Sequence, residues 1–153
     1  MTRRLTTVAV LGIACLVVTR YAMAHCQVPC GVYGDQRRFE TMLEDTQTIA
    51  NGIAQINELA AKSDGLSKNQ LTRWVNTKED HASNTQKIIA EYFMTQRIKP
   101  GSDNYGNKLM KAHAVMVAAM KCKQTADPAS AKALQGAIYA FYEAYEGKKP
   151  NFE

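Results

Sequence analysis

No stretch of the sequence alternates apolar and polar residues with period two over a useful length, so no strands are expected. A Gly-rich phosphate loop, a nucleophile elbow and a paired zinc motif are all missing. No basic run with interleaved aromatics remains once the first two dozen residues are set apart, which argues against nucleic acid as a partner. No internal repeat, low-complexity tract or linker interrupts the chain, and 153 residues suit one domain. The longest apolar run, Leu5 to Val18, falls short of the roughly 20 residues that a membrane-spanning helix needs.

What that run does resemble is the core of a secretory signal peptide. Arg3 and Arg4 precede it, and Ala22-Met23-Ala24 closes it with a small-x-small cleavage pattern, so residues 1–24 are expected to be removed. Gly12-Ile13-Ala14 ahead of Cys15 lacks the leucine of a lipoprotein signal. An exported protein, periplasmic or extracellular and with no stable membrane anchor after cleavage, is the expectation. Removing Arg3, Arg4 and Arg20 takes 19 basic residues to 16 against 14 acidic ones, a net charge of about +2 rather than the formal +5. Of the four cysteines, Cys26, Cys30 and Cys122 remain, and an odd count fits poorly with a simple disulfide framework.

From Asp35 onward the periodicity is helical. Phe39, Met42, Leu43, Ile49, Ile53, Ile56 and Leu59 draw one apolar stripe from about Asp35 to Lys62, with Asp35 as the expected N-cap. Leu71, Trp74, Val75, Ala82, Ile88, Ile89, Tyr92 and Phe93 draw a second, from near Ser67 to the stop at Lys99-Pro100-Gly101. A third helix is expected from about Asn104 to Gln124, with Leu109, Met116, Val117 and Met120 inward and His113 packed or capped among them. A fourth follows Asp127-Pro128, with Leu134, Ala137, Ile138, Phe141, Tyr142 and Tyr145 on its apolar face. The predicted fold class is all-α: an antiparallel four-helix bundle over residues 35–153, preceded by an irregular metal-binding hook over 25–34 in which Pro29 and Gly31 oppose helix.

The hook carries the chemistry. Cleavage before His25 would free an α-amine beside an imidazole, and Cys26 and Cys30 add two thiolates. Amine, ionised Cys26 amide and two thiolates make a planar N2S2 set, which suits Ni(II) or Cu(II) better than tetrahedral zinc. The competing reading is a small Cys26–Cys30 disulfide loop in a structural helical protein. A disulfide does not require His at the terminus with Cys second, and the metal reading does.

The string His25-Cys26-Gln27-Val28-Pro29-Cys30-Gly31-Val32-Tyr33 resembles the N-terminal hook of nickel superoxide dismutases, His-Cys-x-x-Pro-Cys-Gly-x-Tyr. Thr72 to Glu79 with His81-Ala82, and Thr95 to Pro100, look like segments of the same family. The resemblance implies nickel held by His25, through its α-amine and axial imidazole, by Cys26 through amide and thiolate, and by Cys30. It implies disproportionation of superoxide to oxygen and hydrogen peroxide by Ni(II)/Ni(III) cycling, with Tyr33 beside the open face. Pro29 would turn the hook through a cis bond after Val28. Glu40 falls where the family has a glutamate bonded to the axial imidazole, and His81 where some members have an arginine. Gln27 replaces an aspartate found in other members. A homohexamer is also implied. The alternative activity is an exported nickel- or copper-binding module without turnover. Cys122 is expected to be a buried thiol or a subunit contact.

Overall fold

The apolar stripes find one another in four helices. The structure, a computed structural model, describes residues 34–152. The expected signal peptide and the hook residues His25, Cys26, Cys30 and Tyr33 lie outside the described residues. Helix α1 spans Gly34–Leu59, α2 spans Gly65–Lys87 and widens without a break into a π-helix over Ile88–Arg97, α3 spans Tyr105–Gln124 and α4 spans Pro128–Glu146. Helix α1 packs on α2 and α4, and α3 packs on the same two, which closes a four-helix ring. Among the described residues there is no strand, and no helix is long and apolar enough to cross a membrane.

Local chemistry accounts for the helix ends. Asp64 caps α2 by accepting the Ser67 amide at 2.9 Å, and Asp127 caps α4 by accepting the Ala129 amide at 2.9 Å with Pro128 in the first turn. Gly147, at φ +71°, closes α4 in the left-handed conformation that costs a glycine least. Helix α1 ends at Leu59, short of Lys62, in a turn through Ala60 and Ala61.

Phe39 of α1 anchors the core. Its ring lies 4.8 Å from Phe93, 5.3 Å from Phe141 and 4.9 Å from Tyr142, and Phe39, Phe93 and Phe141 are fully buried. Offset and edge-on ring pairs of this kind contribute about 0.5–1.5 kcal/mol each beyond the area they bury. One cluster therefore ties α1, the π-helix and α4 together.

Helix α3 turns a different face inward from the one expected. Ala112, Val115, Ala119 and Cys122 are buried, Leu109 and Met116 are half-buried against the core, and Met120 and His113 are exposed. Small side chains let α3 lie close to its neighbours, and the larger ones flank the contact. The first half of α2 departs likewise: Leu71 and Trp74 are half-buried and Val75 is exposed, while Lys78, Ala82 and Thr85 are its buried residues. The buried Lys78 has a reason. Its ammonium donates to the carbonyls of Cys122 and Lys123, each at 2.7 Å, and so satisfies acceptors that the end of α3 would otherwise leave open.

Candidate functional site

Among the described residues no group of three or more His, Cys, Asp or Glu side chains could hold a metal ion. The bundle's own sulfur and imidazole groups do not gather: Cys122 is buried, with burial pushing its thiol pKa up, and His113 stands exposed on α3. The donor set expected from the sequence, His25, Cys26 and Cys30, lies outside the described residues. Its chemistry fits nickel, since thiolate and deprotonated amide are strong donors suited to a square-planar d8 ion.

Helix α1 begins at Gly34, one residue after Tyr33, and the next residue, Asp35, takes four hydrogen bonds from other segments. Asp35 was expected to cap the first turn with its carboxylate. Instead the carboxylate takes a two-pronged bond from Arg97, Nε to Oδ1 and Nη2 to Oδ2, both at 2.8 Å. Tyr92 donates its hydroxyl to Oδ1 at 2.6 Å and Tyr145 donates to Oδ2 at 2.7 Å. Arg38 lies over the Tyr92 ring at 5.1 Å. Burial alone would raise the Asp35 pKa, but the bonds from Arg97, Tyr92 and Tyr145 outweigh it and hold the carboxyl below its ordinary value. Burial, then the Asp35 carboxylate, push Tyr92 up to about 12 and raise Tyr145 as well. At neutral pH the cluster is one carboxylate, one guanidinium and two neutral phenols.

Glu40 lies a turn and a half further along α1. It accepts from Gln36 at 3.3 Å and from Arg37 at 3.4 Å, and borders an open groove with Leu43, Glu44, Tyr139 and Phe152. His81 faces elsewhere. Its Nδ1 meets Oδ1 of the buried Asp45 at 2.7 Å, and Asp45 also accepts from Asn84 at 2.8 Å and Thr85 at 3.3 Å. A carboxylate can only accept, so Nδ1 carries the proton and Nε2 is the nitrogen left for an outside partner. The His81 side chain is 37% exposed. Glu40 and Asp45 are five residues apart, about 140° around α1 and about 7.5 Å along it. The structure thus places Glu40 and His81 on different faces and does not bring them together.

Sequence reasoning passed over the Asp35 cluster because each member has a bland explanation alone: a cap, two tyrosines on apolar stripes and an arginine near a helix end. The readable signal was the polar tip that each tyrosine carries into a stripe, since a buried phenol needs a partner. Comparison with known proteins then adds one finding. The family model described as nickel-containing superoxide dismutase matches residues 20–149, a span that includes the junction between Ala24 and His25. No curated protein and no solved structure matches the chain.

Proposed function

Because this chain belongs to the nickel-containing superoxide dismutase family, we propose that His25, Cys26 and Cys30 are the residues that hold its nickel. The activity follows from the family: the protein is an oxidoreductase that disproportionates superoxide to oxygen and hydrogen peroxide. Bound nickel supplies the one-electron couple that lets one site both oxidise and reduce superoxide. The family match gives no support to metal storage without turnover.

The observation that carries the ligand assignment is the string His25-Cys26-Gln27-Val28-Pro29-Cys30-Gly31-Val32-Tyr33 within the matched span. His25 contributes its amine and imidazole, Cys26 its amide and thiolate, and Cys30 its thiolate. Tyr33 orders the small anion and its water. Glu40 is the partner for the imidazole nearest the entry to α1, and His81, held through Nδ1 by Asp45 and partly exposed, is a second candidate partner.

Freeing the His25 amine requires cleavage after Ala24, which the Arg3–Ala24 pattern supports and which implies an exported, periplasmic or extracellular enzyme. A homohexamer is the assembly. That assembly rests on the resemblance of residues 25–33 to the family's hook. The test is nickel content and superoxide decay in Cys26→Ser and Cys30→Ser proteins, read beside mass spectrometry of the native N-terminus. Loss of both nickel and activity in each variant is expected. Full nickel-dependent activity in either, or a native chain that starts elsewhere than His25, overturns the assignment.

A further inference from the structure

We propose that Asp35, Arg97, Tyr92 and Tyr145 form a clamp that positions the metal hook, with Asp35 and Arg97 as positioning residues for the dismutase site; this rests on the ligand assignment above. The argument begins with helix geometry. Tyr92 and Arg97 are five residues apart, and in an α-helix their side chains would point about 140° from each other. One carboxylate could not meet both. Over Ile88–Arg97 the helix is widened, with the Ile98 amide bonded to the Phe93 carbonyl at 2.8 Å and the Thr95 hydroxyl to the Ala90 carbonyl at 2.7 Å, both five residues back. At about 4.4 residues per turn the same five residues turn through about 410°, which leaves the two side chains only about 50° apart. The π-helix therefore brings Tyr92 and Arg97 onto one target, and that target is Asp35.

The placement of Asp35 gives the clamp its purpose. It lies five residues after Cys30 and two after Tyr33, at the point where the chain joins α1. It takes four hydrogen bonds from two other helical segments and does not serve as its own helix's N-cap. A helix start that needed only capping would be served by one bond to its own amides. Four bonds from outside fix its position and direction relative to the π-helix and α4. Arg97 supplies two of the four in fork geometry, which a lysine cannot reproduce.

The experiment uses the native nickel-loaded protein in four forms: wild type, Arg97→Ala, Arg97→Lys and Leu59→Ala. Leu59 is buried at the far end of α1, so its variant reports loss of stability without loss of the clamp. Two quantities are read: hydrogen exchange at the amides of residues 31–34 after nickel removal, and retention of nickel against a competing chelator. Arg97→Ala is expected to speed exchange there and to shorten nickel retention by about tenfold or more, as loss of a supporting partner does at metal sites. Arg97→Lys should fall between it and wild type, and Leu59→Ala should leave both near wild type. Wild-type exchange and retention in Arg97→Ala, or equal effects from Leu59→Ala, overturn the clamp. If the wild-type protein itself neither holds nickel nor removes superoxide, the ligand assignment fails, and the exchange comparison still decides the clamp.

Discussion

Replacing Lys78 with methionine keeps most of the side chain's length and apolar stem while removing its charge and all three of its hydrogen bonds. Lys78 is 3% exposed and its ammonium donates to the Cys122 and Lys123 carbonyls at 2.7 Å and to Glu79 at 3.0 Å. The Cys122 bond is buried, so water cannot easily replace it, whereas the bonds to Lys123 and Glu79 are partly open to solvent. A buried acceptor left open costs about 1–3 kcal/mol, and charged hydrogen bonds contribute about 1.5–3 kcal/mol each. Relief from burying an ammonium offsets part of that loss. The net destabilisation is about 2–3 kcal/mol. For a bundle of about 120 residues, with unfolding entropy of about 2.1 cal/mol/K per residue, this lowers Tm by about 8–12 °C. Thermal unfolding followed by circular dichroism measures it. Glu79→Gln, whose side chain is 39% exposed, should move Tm by no more than about 2 °C. A Lys78→Met protein that melts at or above the wild-type temperature refutes the view that Lys78 holds the end of α3.

Three further outcomes are expected. Phe39→Ala, which removes a fully buried ring from the contact of α1, the π-helix and α4, should destabilise by about 3–5 kcal/mol in urea titration. Inserting one alanine between Ala24 and His25 should abolish nickel binding and superoxide decay while leaving the melting of the bundle unchanged, because it displaces the amine and alters nothing after Gly34. The Asp35 cluster should shape stability against pH at both ends. The lowered Asp35 pKa favours the folded state above the ordinary value of 3.8 and loses that contribution as pH falls below it. The raised Tyr92 and Tyr145 values favour it up to the ordinary value of 10.0 and lose it above, through about 12 for Tyr92. Urea unfolding across pH reads both limbs, and Arg97→Ala should weaken the acid one.

The four helices were legible because apolar residues recur at helical spacing in each; α1 buries the stripe that was read, and α4, with Asp127, Pro128 and its aromatic face, reads almost without loss. What escaped were features set by tertiary contacts. Periodicity cannot say that Ala112 and Ala119 face inward in preference to Met120, since both stripes fit one helix and close approach of neighbours decides. Nor does it reveal the widening at Ile88, which takes its sense from Asp35 more than fifty residues earlier. Asp35 reads as a cap, and nothing in the string marks Lys78 as buried, until phenols, a guanidinium and carbonyls from other helices are placed beside them. The hook was the reverse case. It lies outside the described residues, and its reading rests on donor types and close spacing in the string, within the span that the family model matches.

An enzyme that releases hydrogen peroxide bathes itself in an oxidant of sulfur. The thiol at Cys122 is shut away at 0% exposure and kept protonated by its apolar surroundings, the form least open to attack. Met42 is equally enclosed, while Met110 and Met120 stand outside, where a sulfoxide would form without prising the helices apart. Repeated turnover is therefore expected to mark the outer sulfur atoms of the bundle and to spare Cys122 and Met42 within it.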